Sequence, residues 1–462
     1  MSSSTEERVS APVPPVDQPE LPRIQHRLHE GTRLNIRGRT VRLRRIHTPR
    51  RGVLALLTIL GPGLIAATAG DDAGGIATYS QVGAKYGYDL LWALGIITVT
   101  LAVVQEMAAR LGAATGRGLL DLIRERFGIG WALFAVVVVL ASNGGVVVTE
   151  FVGIATAAEL FGISRYMAVP LCAFVVWWAV IRGTYAAVEK TFLLMALAFL
   201  AYPASVALGR PDWGAVAHGA FVPTLKQDPE YLTLLVALIG TTVTPYMQLF
   251  QQSSVVEKGV PRRHYGPERM DAYVGAVFSN VIAACIVIAA AATLHSAGIT
   301  DVQTAQDAAT ALEPAAGKAA QALFGIGLLG ASLLAAGVLP LATAYSVSEA
   351  FGFRKGVNLD FRRAPFFLAT FSVLILVGAV VSLVPGIPLF GLLIGIQTLN
   401  GLLLPVMMLF ILLLTNSQRL VGDMRNGPVN NVLGWGSLVL VTGASATLLG
   451  AQVLHFVTSY GR

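Results

Sequence analysis

From residue 53 onward, long apolar segments alternate with short polar connections. Each segment is long enough to cross about 30 Å of hydrocarbon as an α-helix. We count eleven such segments, at residues 53–83, 87–112, 129–160, 165–182, 191–209, 231–256, 271–295, 320–350, 364–385, 388–415 and 432–457. The pattern predicts an all-α polytopic membrane protein with about eleven transmembrane helices.

Composition supports this interpretation. Apolar residues make up 55% of the chain and charged residues 13%, about half the charged share of a soluble domain, which excludes an ordinary soluble protein. Many of the 48 glycines lie inside the apolar segments, as in membrane helices that pack closely. Cys172 and Cys285 both lie in apolar stretches, so their spacing predicts neither a disulfide framework nor a cysteine-based metal site.

The first 51 residues differ from the rest of the chain. They contain eleven arginines against five acidic residues, and no apolar run precedes Val53. We therefore expect a basic, mostly disordered cytoplasmic tail over residues 1–51 and a transmembrane domain over residues 52–462. Such a tail either attracts anionic lipid or only fixes the topology. Because the positive excess is confined to this tail, we expect no nucleic-acid partner.

Basic residues are distributed unequally between the two sides of the predicted membrane. The tail and every second loop hold 27 of the 33 Lys and Arg residues. The positive-inside rule then predicts a cytoplasmic N-terminus and an extracytoplasmic C-terminus. We expect an integral protein of a bacterial-type plasma (inner) membrane.

Two of the predicted spans contain helix-breaking sequences, at residues 61–75 and 240–246. Non-helical backbone at membrane depth is tolerated where it lines a cavity. Because the breaks lie five spans apart, they predict two inverted repeats, at about 52–210 and 231–415, with an extra helix at about 432–457. This arrangement is typical of the binding site of a secondary transporter.

Two adjacent acids, Asp71 and Asp72, follow the first break. A carboxylate at mid-bilayer costs about 2.5 to 3.5 kcal/mol on insertion scales, so two in succession need a compensating partner. A divalent cation is such a partner, since it offsets both charges and accepts further carbonyl oxygens as ligands. We assign Asp72 to the site. Asp71 either joins it, pairs with a basic group or lies in a water-filled vestibule.

Several motifs resemble the Nramp family of divalent-metal transporters. They are Gly61-Pro62-Gly63, Asp72-Ala73-Gly74-Gly75-Ile76-Ala77-Thr78, and Gln105-Glu106-Met107-Ala108-Ala109-Arg110-Leu111-Gly112. The resemblance implies an eleven-span fold of the amino-acid/sodium symporter (LeuT) type with metal bound between the broken first and sixth helices. The metal-site residues that we predict are Asp72, Asp71, Thr244, Tyr246, Gln397, Gly75, Thr241 and Ala69. Thr241 and Ala69 match positions whose backbone carbonyls face metal in the family.

The chain departs from the family pattern at both breaks. The family motif Asp-Pro-Gly-Asn is replaced by Asp72-Ala73-Gly74-Gly75, so the asparagine ligand is missing at Gly75. The family motif Met-Pro-His is replaced by Thr244-Pro245-Tyr246. Loss of the thioether removes a soft ligand that favours transition metals. The glycine at position 75 leaves a wider site, and the Thr244 hydroxyl is a hard oxygen ligand. Such a site suits an ion that keeps its bound waters, and Mg²⁺ loses its waters reluctantly.

The residues expected for proton coupling also differ. The third-span Asp-x-x-Glu pair of the family corresponds to residues 147–150, where only Glu150 remains. Tyr246 replaces a histidine, and a tyrosine with a pKa of about 10 is a poor proton relay at neutral pH. These departures resemble the Nramp-related magnesium transporters (NRMT), which implies transport of Mg²⁺, and also Mn²⁺, without proton coupling.

Other functions remain open at this point. A proton-coupled manganese or iron importer would need another proton acceptor, for which Glu150 is available. A sodium-coupled symporter of a small organic solute would share the architecture but would not require paired acids. Glu106 and Glu150 either line a cation path or pair structurally with Arg110 or a hydroxyl. We expect no enzyme activity and no cofactor, because the spans contain no catalytic or cofactor motif.

Overall fold

The structure is a computed structural model, and it describes residues 33–36, 39–42, 72–182, 197–226, 228–257, 259–260, 262, 265–354 and 361–460. The chain divides into two compact units, Met1–Thr58 and Ile59–Arg462.

In the first unit the described residues form a β-hairpin. Strand β1 (Arg33–Ile36) pairs antiparallel with β2 (Arg39–Arg42), with Arg33 opposite Arg42 and Ile36 opposite Arg39. The hairpin lies within the segment for which we expected mostly disorder. The rest of that tail lies outside the described residues.

In the second unit the described secondary structure is helical. Its N-terminal half contains α1 (Ala73–Tyr86), α2 (Leu91–Thr115), α3 (Leu119–Phe127), α4 (Ile129–Leu160), α5 (Arg165–Ile181), α6 (Ala201–Leu208) and α7 (Trp213–Phe221). The remainder contains α8 (Pro229–Thr242), α9 (Pro245–Glu257), α10 (Tyr265–Ala290), α11 (Ala305–Ala309), α12 (Glu313–Ala316), α13 (Ala320–Phe351), α14 (Pro365–Ser382), α15 (Leu389–Thr415), α16 (Gln418–Val421) and α17 (Pro428–Tyr460). Short 3₁₀ segments cover Leu197–Leu200, Thr310–Leu312, Gly317–Ala319 and Gly422–Met424, and a π-helical turn, Ala291–His295, extends α10.

These helices match the predicted spans. Within the described residues, eight helices or helix pairs are long and apolar enough to cross a membrane. Helix α5 and the segment Leu197–Leu208 are shorter apolar helices in the fourth and fifth predicted spans. Helix α1 covers the second half of the first span, whose first half lies outside the described residues. The all-α polytopic prediction is confirmed.

The sixth span is broken where the sequence predicts. Helix α8 ends at Thr242, and Val243 leaves the helical region with φ −118° and ψ 58°. The Thr244 hydroxyl donates to the carbonyls of Gly240 and Thr241, at 3.0 and 2.9 Å, and so satisfies acceptors that the helix end leaves free. Helix α9 then begins at Pro245, which has no N–H to leave unpaired.

The far ends of α1 and α8 are tied together. The Tyr86 hydroxyl donates to Asp228 Oδ2 at 2.6 Å, and Lys85 forms an ion pair with Glu230. The Tyr86 and Tyr231 rings meet edge to face with centroids 5.1 Å apart. The hydrogen bond from Tyr86 holds the pKa of Asp228 below its ordinary value. The two half-helices therefore reach the centre of the bundle from one joined end.

Glycines allow the backbones of α8 and α15 to touch. A Cβ at Gly240 would lie 2.1 Å from the carbonyl oxygen of Gln397 and 2.3 Å from the amide nitrogen of Gly401. A Cβ at Gly401 would lie 2.3 Å from the carbonyl oxygen of Val236. In lipid no hydrophobic driving force brings helices together. Close van der Waals packing at small residues stabilises the contact between α8 and α15 instead.

We expect Gly240→Ala to destabilise the fold, because the added methyl meets backbone that cannot rotate away. Overpacking of this kind costs about 1 to 3 kcal/mol. The measurement is the yield of monodisperse protein and its apparent Tm in detergent. Gly395→Ala on α15 is the matched control, since a Cβ there meets no atom within 4 Å. Equal behaviour of the two variants would contradict the packing described.

Candidate metal site

Asp72 begins the described half of the first span. Its backbone is extended, with φ −71° and ψ 177°, and its Oδ1 accepts the N–H of Gly75 at 2.7 Å. Asp72 is therefore the N-cap of α1, a position that carboxylates favour because the first N–H groups of a helix lack partners. The side chain is fully buried, and Oδ2 has no hydrogen-bond partner among the described residues.

Gln397 of α15 connects the start of α1 with the end of α8. Its Nε2 lies 3.4 Å from Asp72 Oδ1. Its side chain rests on Gly74, where a Cβ would lie 1.9 Å from Nε2, and its carbonyl rests on Gly240. Gln397 is fully buried. The residue thus contacts the start of α1 through its side chain and the end of α8 through its backbone.

The break between α8 and α9 contributes oxygen atoms. The Thr244 hydroxyl uses its only proton on the backbone carbonyls described above, so toward any further partner it can act only as an acceptor. The Thr241 carbonyl accepts this proton, while the Thr241 hydroxyl has no partner among the described residues. Tyr246 is buried on the first turn of α9.

A second acid lies near Asp72. Glu150 of α4 is fully buried, and α4 packs against the first turn of α1 beside Asp72. Thr149 Oγ1 lies 3.4 Å from Glu150 Oε1. Helix α4 approaches α1 one turn further along, where a Cβ at Gly153 would lie 2.4 Å from the Cβ of Ala73.

Glu106 of α2 is held in a structural network. Its Oε2 pairs with Arg110 at 3.1 Å, and its Oε1 accepts the Tyr265 hydroxyl at 2.7 Å. Asn430 Nδ2 lies 3.4 Å from Glu106 Oε2. Both carboxyl oxygens of this acid have protein partners, which favours the structural alternative for Glu106.

The structure brings some of the predicted site residues together. Asp72, Gly75 and Gln397 form one hydrogen-bonded group, and Thr241 and Thr244 form another at the end of α8. Asp71 and Ala69 lie outside the described residues. Sequence reasoning gave no role to Asn400, although it lies one turn after Gln397, and it overlooked Ser142, a polar residue in an apolar run.

The atoms offered by the group are hard donors. The predicted residues in the described part of the chain supply carboxylate, hydroxyl, amide and backbone oxygens, and none supplies sulfur. The described residues contain no group of three or more His, Cys, Asp or Glu side chains able to hold a metal ion. The arrangement suits a passing, oxygen-loving cation better than a permanently bound transition metal.

Comparison with known proteins gives a family for this chain. Residues 63–451 match the family described as Natural resistance-associated macrophage protein-like, or Nramp. The chain belongs to the Nramp family. It is 30% identical over 414 residues to the divalent metal cation transporter MntH of Deinococcus radiodurans, covering 86% of this chain and 91% of that protein. It is 28% identical to MntH of Aeromonas hydrophila, covering 86% and 96%.

Solved structures support the Nramp fold. A manganese transporter of Eremococcus coleocola superposes with a TM-score of 0.70 at 20% identity, covering 89% of this chain and 95% of that one. MhsT in complex with L-phenylalanine superposes with a TM-score of 0.55 at 17% identity, covering 85% and 97%. The LeuT-type fold is therefore confirmed, and this Nramp protein is an integral membrane transporter of divalent metal cations.

We expect Gly74→Ala to displace Gln397 from Asp72 while the fold survives. The three atoms nearest to the new methyl all belong to the Gln397 side chain, which can rotate, unlike the backbone at Gly240. Binding of Mn²⁺, measured by calorimetry on purified protein, should weaken by about fivefold, as for the loss of one hydrogen bond of about 1 kcal/mol. Gly95→Ala, at an open position on α2, should bind as the unchanged protein does. A fully retained affinity in Gly74→Ala would contradict the role of this contact.

Proposed function

We propose that this Nramp protein transports Mg²⁺, and also Mn²⁺, as a largely hydrated ion by alternating access and without proton coupling. The observation that carries the proposal is the state of the Thr244 hydroxyl. It occupies the position of the family's thioether and has donated its proton to the backbone, so it offers only an oxygen acceptor.

An acceptor set of this kind fits a hydrated ion. Waters bound to a cation donate their hydrogens outward, so the site needs acceptors rather than donors. Asp72 Oδ2 and the Thr244 hydroxyl are such acceptors, and the Thr241 hydroxyl is a further group without a partner among the described residues. Mg²⁺ usually keeps several waters and is held by one or two carboxylates. The missing asparagine at Gly75 provides room for those waters.

The absence of family proton groups supports uncoupled transport. Tyr246 replaces a histidine, and Val147 replaces the first acid of the third-span pair.

We place the N-terminus in the cytoplasm and the C-terminus outside, in the inner membrane of a bacterial-type cell, because of the distribution of basic residues. In this proposal the basic N-terminal tail fixes the topology, and the alternative is that it also attracts anionic lipid.

Proton-coupled import of manganese is the second candidate, and one observation favours it. Glu150 is a fully buried acid beside Asp72, so a cation arriving at Asp72 would favour loss of any proton that Glu150 holds. The relatives named above as manganese or divalent metal transporters point to the same cargo. The two candidates differ in whether metal entry acidifies the receiving compartment.

Proteoliposomes distinguish these candidates. We expect entry of both Mg²⁺ and Mn²⁺ without acidification, reported by a pH-sensitive dye inside the vesicles, and equal rates when choline replaces sodium. Entry of Mn²⁺ alone with acidification would overturn the proposal in favour of proton-coupled import. Dependence on sodium would instead indicate a symporter.

Asp72→Asn tests the site in the same vesicles. Asparagine is as good an N-cap as aspartate, so the bond from Gly75 and the fold should survive while the charge is lost. We expect transport of both ions to fall at least about tenfold, the factor that corresponds to about 1.4 kcal/mol. Size-exclusion chromatography checks the folding. Uptake at the unchanged rate by the folded variant would remove Asp72 from the site.

Thr244→Met tests selectivity. The substitution returns a thioether to the break between α8 and α9, and a soft ligand favours Mn²⁺ over Mg²⁺. We expect the ratio of Mn²⁺ to Mg²⁺ uptake to rise. Thr244→Val is the matched control, because it removes the oxygen without adding sulfur and should slow both ions. A ratio that is equal in the two variants would contradict the assigned role of Thr244.

A further inference from the structure

A chain of hydrogen bonds leads from Asp72 away from the ion site. Gln397 Nε2 lies 3.4 Å from Asp72 Oδ1, Asn400 Nδ2 donates to Gln397 Oε1 at 2.8 Å, and Ser142 Oγ donates to Asn400 Oδ1 at 2.7 Å. All four residues are fully buried. The chain therefore crosses from α1 through α15 to α4 without reaching solvent.

The direction of this chain is fixed at one end. Asp72 Oδ1 already accepts the N–H of Gly75, so this oxygen is an acceptor, and Gln397 must turn its NH₂ group toward it. The Gln397 carbonyl oxygen then faces Asn400, which must present its own NH₂ group. The Asn400 oxygen is left facing Ser142, whose hydroxyl must donate.

We propose that Asn400 and Ser142 are positioning residues for the metal site, and this rests on the proposed cation binding at Asp72. Asn400 donates to the carbonyl oxygen of Gln397, and Ser142 orients Asn400. Together they keep this oxygen from the ion and hold the amide NH₂ on Asp72 Oδ1. Asp72 Oδ2 is then the carboxyl oxygen left for the cation or its waters. Gln397 orients the carboxylate instead of ligating the metal.

Other buried polar residues of the apolar helices behave differently. Thr398, next to Gln397 on α15, returns its hydroxyl to the carbonyl of Ile394 at 3.0 Å. Asn280 on α10 returns its amide to the carbonyl of Ala276 at 2.9 Å. Such bonds within one helix are the usual way to satisfy a polar side chain in an apolar segment. Asn400 instead uses both of its polar atoms on other side chains, Gln397 on one side and Ser142 on the other.

Asn400→Leu removes the donor and keeps the approximate volume. Binding of Mn²⁺ and of Mg²⁺ to purified protein, measured by calorimetry, should weaken about tenfold, since Gln397 can turn its amide once its oxygen is released. Thr398→Val is the matched control and should bind as the unchanged protein does. An affinity within twofold of the unchanged protein in folded Asn400→Leu would overturn the proposal.

Ser142→Ala is a milder variant that keeps the test open if Asn400→Leu does not fold. Two side chains lie between Ser142 and Asp72 in the hydrogen-bonded chain, so this variant acts on the ion only through the chain. We expect affinity to fall about threefold, less than for a whole hydrogen bond, and to fall no further when Ser142→Ala is added to Asn400→Leu. Unchanged affinity in Ser142→Ala, or full additivity of the two substitutions, would contradict the connection.

A metal-free measurement separates this proposal from the proposed function. In chelator, the apparent Tm of Ser142→Ala, Gln397→Met and the double variant gives the coupling between two residues that the described hydrogen bonds join through Asn400. We expect a coupling that disappears in the Asn400→Leu background. If the unchanged protein binds neither ion, the proposed function fails, and this cycle still decides whether the chain exists. Additive Tm shifts in the presence of Asn400 would show that it does not.

Discussion

Helix ends within a membrane must satisfy their own backbone groups, and the centre of this protein depends on that requirement. Lipid provides no partner for the free N–H groups at the start of α1 or for the free carbonyls at the end of α8. Asp72 accepts the first and Thr244 donates to the second. At the start of α9, Pro245 leaves no unpaired N–H at the first position, because proline has no backbone N–H. These helix ends are stable because particular side chains bond to their free backbone groups.

The same side chains provide the chemistry of the site. A carboxylate has two oxygens, and the cap at Gly75 together with Gln397 uses one of them, which leaves Oδ2 of Asp72 without a protein partner among the described residues. A hydroxyl has one proton, and the carbonyls of α8 use it. In both cases the backbone groups at a helix end bind one part of the side chain, an oxygen of Asp72 or the proton of Thr244. An oxygen acceptor remains in each side chain. A divalent cation surrounded by donating waters is the complementary ligand.

Hydropathy was enough to predict the spans, because length and apolarity alone decide whether a helix crosses a bilayer. The third span was predicted at residues 129–160 and is the helix Ile129–Leu160, and the tenth was predicted at 388–415 and is Leu389–Thr415. The hairpin at residues 33–42 and the short helices between spans were not predicted, since they lack the long apolar period. Asp72 was predicted as a site residue from the cost of an unpaired charge.

The direction of a side chain could not be predicted from the sequence. Gly74 and Gly240 were recognised as parts of the breaks, yet each is required by the position of Gln397, which lies more than 150 residues away in sequence. Gln397 was predicted as a metal-site residue, and nothing in the sequence indicated that its carbonyl oxygen accepts a hydrogen bond from Asn400. Such contacts depend on how closely α1, α8 and α15 approach one another, and an apolar pattern carries no information about that distance.

Glu106 and Asp72 show which acid inside a membrane protein can serve a passing ion. The sequence places both in apolar spans, and insertion cost alone does not separate them. Arg110 neutralises Glu106, and Tyr265 occupies its other oxygen, so a cation would have to displace an existing ion pair. Asp72 has no basic partner among its described contacts and keeps one buried oxygen unpaired. In the proposed function the arriving cation compensates this desolvation, which favours binding at Asp72 over Glu106.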